Sequence, residues 1–194
     1  PSPSAWGCGR FSSATWWLCH WAWLEWTPQN NNHAWLDYGG ANHYNQMISS
    51  ALDRVFQLAE EQGLRIMLVT EDNDELRNNN VYMGTWGGHP YNVRNGGPCE
   101  NPQDVFVDEE ARRLYRNRLH YIIARWGYSP SLWAINSMND YQSPTEKTLP
   151  WLKEVSSYVH ELFEGWRPII YGSNLRYEAE KFTDYAQALA LPNP

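Results

Sequence analysis

Apolar residues along this chain alternate between two spacings. Over residues 44–62, Met47, Ile48, Ala51, Leu52, Val55, Phe56 and Ala59 recur three and four apart, which is one face of a helix, and Gly63 follows as its stop. Leu64-Arg65-Ile66-Met67-Leu68-Val69-Thr70 is then a short run rich in branched side chains, the pattern of a strand buried on both faces of a parallel sheet. The alternation repeats. Asp108, Glu109 and Glu110 put acidic groups at a helix start, Ala111, Leu114, Tyr115, Leu119, Ile122 and Ile123 make the apolar stripe of a helix reaching Trp126, and Gly127 closes it. Residues 131–135 predict a strand. Pro150 suits the first turn of a third helix with Trp151, Leu152, Val155, Val159, Leu162 and Phe163 inward and Gly165 at its end, and residues 168–171 predict another strand. Ahead of these, the segment ATWWLCHWAWLEW at 14–26 is too apolar for a surface loop and reads as a buried strand running into Thr27-Pro28, whereas 77–104 is a long loop rich in Gly, Asn and Pro.

Strands alternating with helices predict a parallel α/β architecture, wound into either a barrel or an open sheet, and the 194 residues read as one domain over 1–194. No glycine-rich phosphate loop follows any strand, which counts against nucleotide binding. Parallel sheets build their sites at the carboxyl ends of the strands, so the residues ending each apolar run carry the chemistry. Here they are Trp21, Trp23, Glu25 and Trp26; Glu71, Asp72, Asn73, Asp74 and Glu75; Asn136, Asn139, Asp140 and Tyr141; and Ser173, Asn174 and Arg176.

Composition narrows the ligand. Twelve Trp and twelve Tyr against five Phe favour rings that carry a polar handle, and a carbohydrate cleft needs indole faces for sugar C–H groups beside hydrogen-bonding groups for hydroxyls. For any single Trp, packing in the core is the commoner fate. A net charge of −7 disfavours nucleic acid and anionic membrane as partners, and no run approaches the roughly 18–20 apolar residues of a membrane span. The Pro1-Ser2-Pro3-Ser4 start lacks signal-peptide features, which predicts a mature, trimmed or partial chain. Cys8, Cys19 and Cys99 match no zinc or redox spacing and allow one disulfide at most, its pairing open. The acidic group Glu71, Asp72, Asp74 and Glu75 lacks the glycine and terminal glutamate of a calcium loop and reads as a solvated loop; the six histidines show no metal-pair spacing.

Four stretches carry a family resemblance: His89-Pro90-Tyr91-Asn92, Asn95-Gly96-Gly97-Pro98-Cys99, Glu110-Ala111-Arg112-Arg113-Leu114-Tyr115-Arg116-Asn117-Arg118-Leu119, and Ala124-Arg125-Trp126-Gly127-Tyr128-Ser129-Pro130. They resemble the third βα unit of cellulase- and mannanase-type glycoside hydrolases, secreted (β/α)8 barrels of the retaining clan that includes family 5. Trp17-Leu18-Cys19-His20-Trp21 and Leu24-Glu25-Trp26 are similar to the second strand of those proteins, so that residues 9–172 are covered. The resemblance implies a parallel barrel of TIM type, incomplete here because it runs from strand two to strand five, and a complete barrel takes about 250 residues.

For function the resemblance implies cleavage of β-linked polysaccharide (cellulose, β-glucan or mannan) by retaining acid/base catalysis, with no metal and no cofactor. The family's fourth strand ends in Trp-Glu, two apolar residues, then Asn-Glu, which aligns with Ile135-Asn136-Ser137-Met138-Asn139-Asp140. Asp140 takes the acid/base position and Asn139 that of the residue holding the substrate 2-hydroxyl; Trp21, Trp26, Glu25, Tyr141 and Asn92 are the further candidates for binding sugar. Departures from the pattern include Asp140 in place of Glu, Thr15 where the family has Arg, and Asn73-Asp74 where it has His-Gly. The nucleophilic Glu belongs to the seventh strand, outside these residues. The expected partner is a poly- or oligosaccharide outside the cell, with self-association through open sheet edges. The alternatives are a catalytically impaired carbohydrate-binding relative and a structural or assembly piece.

Overall fold

The computed structural model of the protein describes Glu25 and residues 40–77, 86–139 and 146–163 with their side chains, except that of Asp74, and the backbone of Ile169–Gly172. The strand expected at 14–26 apart from Glu25, and with it Thr15, Trp21 and Trp26, lies outside the described residues, as do Cys8, Cys19, Asp140, Tyr141, Ser173, Asn174 and Arg176.

Among the described residues the helices and strands follow in the order α1 (Gln46–Glu61), β1 (Ile66–Val69), α2 (Glu109–Trp126), β2 (Leu132–Met138), α3 (Thr148–Leu162) and β3 (Ile169–Gly172). The three strands form one sheet in the order β1-β2-β3, and both pairs are parallel. Helices cross between successive strands, as a parallel sheet requires. α1 and α2 start where the sequence chemistry directs. The Asn45 side chain caps α1 by accepting from the N–H groups of Met47 (2.9 Å) and Ile48 (3.2 Å), and Asp108 caps α2 by accepting from Ala111 N–H (2.9 Å). Gly63 takes φ +65° after α1, a left-handed turn open to glycine without penalty. Among the described residues no helix is long and apolar enough to cross a membrane.

The predicted stripes pack against one another. Ile48, Leu52, Phe56 and Ala59 of α1, the whole predicted face of α2 with Trp126, and Trp151, Leu152, Val155 and Val159 of α3 join Ile66, Leu68, Leu132, Ile135 and Met138 of the sheet in one core. Met47, expected inward, is 64% exposed. Phe56 stacks on Trp126 with centroids 5.9 Å apart, and the same helices are tied at the surface, where Asp53 accepts from Arg125 Nε (2.9 Å) and Nη2 (2.7 Å) and from Trp126 Nε1 (2.8 Å). Arg112 and Arg116 of α2 both pair with Glu154 of α3.

β2 runs three residues beyond the strand predicted at 131–135. The apolar run breaks at Asn136-Ser137, yet the ladder continues, since Asn136 turns its side-chain oxygen onto Met138 N–H (3.2 Å) where the register with β3 shifts. The long loop ahead of α2 is ordered by short 3-10 turns at Trp86–Gly88, Val93–Asn95 and Pro102–Phe106. It folds back on itself through Cys99 N–H donating to Tyr91 O (2.8 Å) and Gly97 N–H to Asn92 O (3.0 Å). Cys99 is a buried free thiol, pushed up to about 12 by burial and by the nearby Asp108 and Asp104.

Gly97 packs closely within that loop, because a Cβ there would lie 2.2 Å from the carbonyl carbon of Tyr91, a backbone atom that cannot swing aside. Gly97→Ala is therefore expected to destabilise the protein by about 2 kcal/mol or more, measured by denaturant unfolding.

Candidate functional site

The carboxyl ends of β1 and β2 meet a helix residue that the strand-end reading leaves out. Arg118 of α2 lies inside the protein, 7% exposed, between the rings of Tyr91 and Tyr115, with its guanidinium carbon 5.0 and 5.3 Å from their centroids. A buried cation has to be neutralised and hydrogen-bonded. Arg118 Nε donates to Glu25 Oε2 (2.6 Å), and Nη1 donates to Glu71 Oε2 (3.0 Å) and to Thr70 O (2.9 Å). Glu25 also accepts from Tyr91 OH (3.4 Å) and from the Asn42 N–H. Tyr115 OH donates to Ser137 O (3.1 Å) and meets Thr70 Oγ1 at 2.7 Å, so one face of α2 bridges β1 to β2.

Beyond Arg118 the network continues into the turn after β1. His89 Nδ1 accepts from Tyr91 N–H (3.0 Å); a backbone N–H can only donate, so the ring proton sits on Nε2, which donates to Glu71 Oε1 (3.2 Å). Glu71 is also hydrogen-bonded to Glu75. Two buried carboxyl groups in contact need a proton between them. Burial works to raise Glu71, but His89, the hydrogen bond from Glu75 and the Arg118 guanidinium hold it well below the usual carboxylate range. Burial, and next the charge of Glu71, push Glu75 well above that range. The opposed shifts mean that the pair shares a proton, with Glu75 the more readily protonated partner.

This arrangement corrects the expectation of a solvated acidic loop: Glu71 (5% exposed), Asp72 and Glu75 are buried, because Arg118, His89 and the shared proton replace water. Glu71, Glu75 and His89 bring ligand atoms within 4.8 Å of one another, a spacing a cation could use. The hydrogen bonds oppose that use. With Nδ1 accepting from Tyr91 and Nε2 carrying the proton, His89 has no lone pair to offer, and Arg118 stands 3.0 Å from Glu71.

Of the predicted site residues, Asn139 sits just past β2 and is partly exposed. Its Nδ2 donates to Asp72 Oδ2 (2.7 Å), its Oδ1 accepts from Asn136 Nδ2 (3.2 Å), and its backbone bridges to the turn after β1, N–H to Glu71 O (2.9 Å) and O from Asn73 N–H (3.0 Å). Glu25 is in the Arg118 cluster, 2% exposed. Asn92 serves its own loop: its buried carboxamide donates to Trp86 O (2.8 Å) and accepts from Arg94 N–H (2.9 Å). The structure thus brings Glu25 together with Arg118 and Asn139 together with Asp72. Sequence reasoning names Tyr115 as part of the buried face of α2 and quotes His89, Tyr91 and Arg118 within the family resemblance, but it names none of the four as a site residue. A signal for Arg118 was present, because it falls on the apolar stripe between Tyr115 and Ile122, where a charge is out of place unless it is paired.

No family model matches the chain, and no curated protein sequence does. Among solved structures, it is similar to an endo-β-1,4-mannanase from Thermotoga petrophila, with a TM-score of 0.52 and 21% identity. The match covers 73% of this chain and 31% of the mannanase chain, so this chain spans under a third of that protein's length. The likeness shows the fold: an α/β arrangement of helices and parallel strands, in common with a part of that structure.

Two measurable consequences follow from the buried charges. Arg118→Met would leave Glu25 and Glu71 without their cation and is expected to cost about 3–5 kcal/mol of stability in denaturant titrations. The shared proton predicts a pH dependence with two limbs. The Glu75 contribution is fully present below the carboxylate's unfolded pKa and is lost as pH rises toward its raised folded value; the Glu71 contribution is present above the unfolded value and is lost as pH falls toward its depressed one. On the alkaline limb the folded pair binds protons more tightly than the unfolded chain, so stability falls as pH rises. Glu75→Gln, whose amide donates to Glu71 without a titrating proton, is expected to flatten that limb in thermal melts taken above about pH 4.5.

Proposed function

We propose that the chain carries the middle strands of a (β/α)8-barrel protein of glycoside hydrolase type acting on β-linked polysaccharide. The observation that supports this most is the Asn139 rim: the family pattern has Asn followed by its acid/base at the end of a barrel strand, and here Asn139 stands at the end of β2, braced by Asp72 across from it, in a fold similar to part of an endo-β-1,4-mannanase. On this reading Asp140, the next residue, protonates the leaving glycosidic oxygen, while Asn139 holds a hydroxyl of the sugar. Trp21 and Trp26, with Tyr141, give the ring faces on which sugars stack. Polymers of this kind lie outside the cell, so the reading implies secretion.

Retaining hydrolysis needs a second carboxylate about 5–5.5 Å from the acid. Glu71 and Glu75 do not serve: they are buried, hydrogen-bonded to each other, and engaged with Arg118 and His89. Glu25 is committed to Arg118. The nucleophile of the reading is therefore a carboxylate other than these three.

A carbohydrate-binding protein with weakened catalysis is the second reading, favoured by Asp140 in place of Glu, Thr15 in place of Arg, and Asn73-Asp74 in place of His-Gly. Asp is one methylene shorter than Glu, which withdraws the carboxyl by roughly 1 Å, enough to cost about a hundredfold in rate. One series of assays separates the two readings. If the chain is an enzyme, reducing-end release from β-glucan or mannan falls by at least about a hundredfold in Asp140→Ala and rises in Asp140→Glu. Unchanged turnover in Asp140→Ala removes that residue from the mechanism, and binding without turnover, lost in Trp21→Ala, assigns the chain to the second reading.

A further inference from the structure

We propose that Asp72 is the positioning residue of the sugar site, fixing which way the Asn139 amide faces; the proposal rests on the reading of Asn139 as the residue that holds a substrate hydroxyl. Parallel sheets receive ligands beyond the carboxyl ends of their strands. At that edge Asn139 is partly exposed, whereas Asp72 is 2% exposed and out of reach of a ligand. Asp72 therefore acts through Asn139.

A side-chain amide can turn over, exchanging its oxygen for its NH2, and a flipped amide offers a hydroxyl the opposite polarity. Here both ends are specified. Asp72 Oδ2 can only accept, and at 2.7 Å it draws Nδ2 toward β1; Asn136 Nδ2 can only donate, and at 3.2 Å it draws Oδ1 the other way. The bond to Asp72 is the shorter and the charge-assisted one. The backbone of Asn139 is held separately, by Glu71 O and Asn73 N–H, so removing the Asp72 carboxylate takes away the charge-assisted partner of the amide without releasing the strand end.

The test uses the full chain with Asp72→Ala and Asp72→Asn, each in the native and in the Asn139→Ala background. Affinity for cello- and manno-oligosaccharides is measured by calorimetry, and exchange of the Asn139 side-chain amide protons by NMR. Asp72→Ala is expected to speed that exchange and to weaken binding by about tenfold, Asp72→Asn, which keeps an acceptor oxygen in place, is expected to recover most of the loss, and Asp72→Ala should add nothing in the Asn139→Ala background. Equal loss of affinity from Asp72→Ala in both backgrounds, or unaltered exchange of the Asn139 amide in Asp72→Ala, overturns the proposal. If the native chain binds no oligosaccharide, the functional reading falls, and the amide exchange still decides whether Asp72 holds Asn139.

Discussion

The interior of this protein is organised around one buried cation. Arg118 comes from α2, yet its donors reach Glu25, ahead of α1, and both the backbone and the side chain at the end of β1. Coulombic attraction between buried ions is offset by the loss of their hydration, so such a cluster adds little net stability while penalising every arrangement that leaves one member unpaired. Its effect is on geometry. The cluster ties α2 to β1, and the rings of Tyr91 and Tyr115 pack against the same guanidinium.

From that anchor the order passes outward in steps. Arg118 holds Glu71; Glu71, through His89, holds the loop before α2 and, through the shared proton, holds Glu75; the turn that contains Glu75 presents Asp72 to Asn139. The bonds from Arg118 to Glu71, from His89 to Glu71 and from Asn139 to Asp72 each join separate segments of chain, so the partly exposed amide at the rim depends on residues far from it in sequence. The tight approach of Gly97 to Tyr91 belongs to the same path, because the Tyr91 backbone both receives that close contact and sets the tautomer of His89.

The regular elements were legible because each obeys a local rule: α1, α2 and α3 show their buried faces as stripes, Asn45 and Asp108 sit at cap positions, and β1 is a run of branched residues. The end of β2 was not, since Asn136 and Ser137 look like a loop until the neighbouring strands supply their hydrogen bonds. The burial of Glu71, Asp72 and Glu75 was misread for a related reason. Burial of an acid depends on a partner, and Arg118 and His89 are distant in the chain, so local polarity pointed to solvent. Asn92 shows the converse: it stands in a segment that resembles a catalytic family, while its carboxamide closes a turn.

Because Arg118 projects from a helix, its aim depends on the phase of α2 as much as on residue identity. Successive residues in an α-helix are rotated by about 100°, so a single insertion or deletion between the Asp108 cap and Arg118 would swing the guanidinium away from Glu25 and Glu71. The apolar stripe could recover by sliding three or four residues along the core, but the cation could not recover at the same time. The number of residues between the Asp108 cap and Arg118 is therefore as much a requirement of the ion cluster as the arginine itself, whereas the surface positions of those turns are open to change.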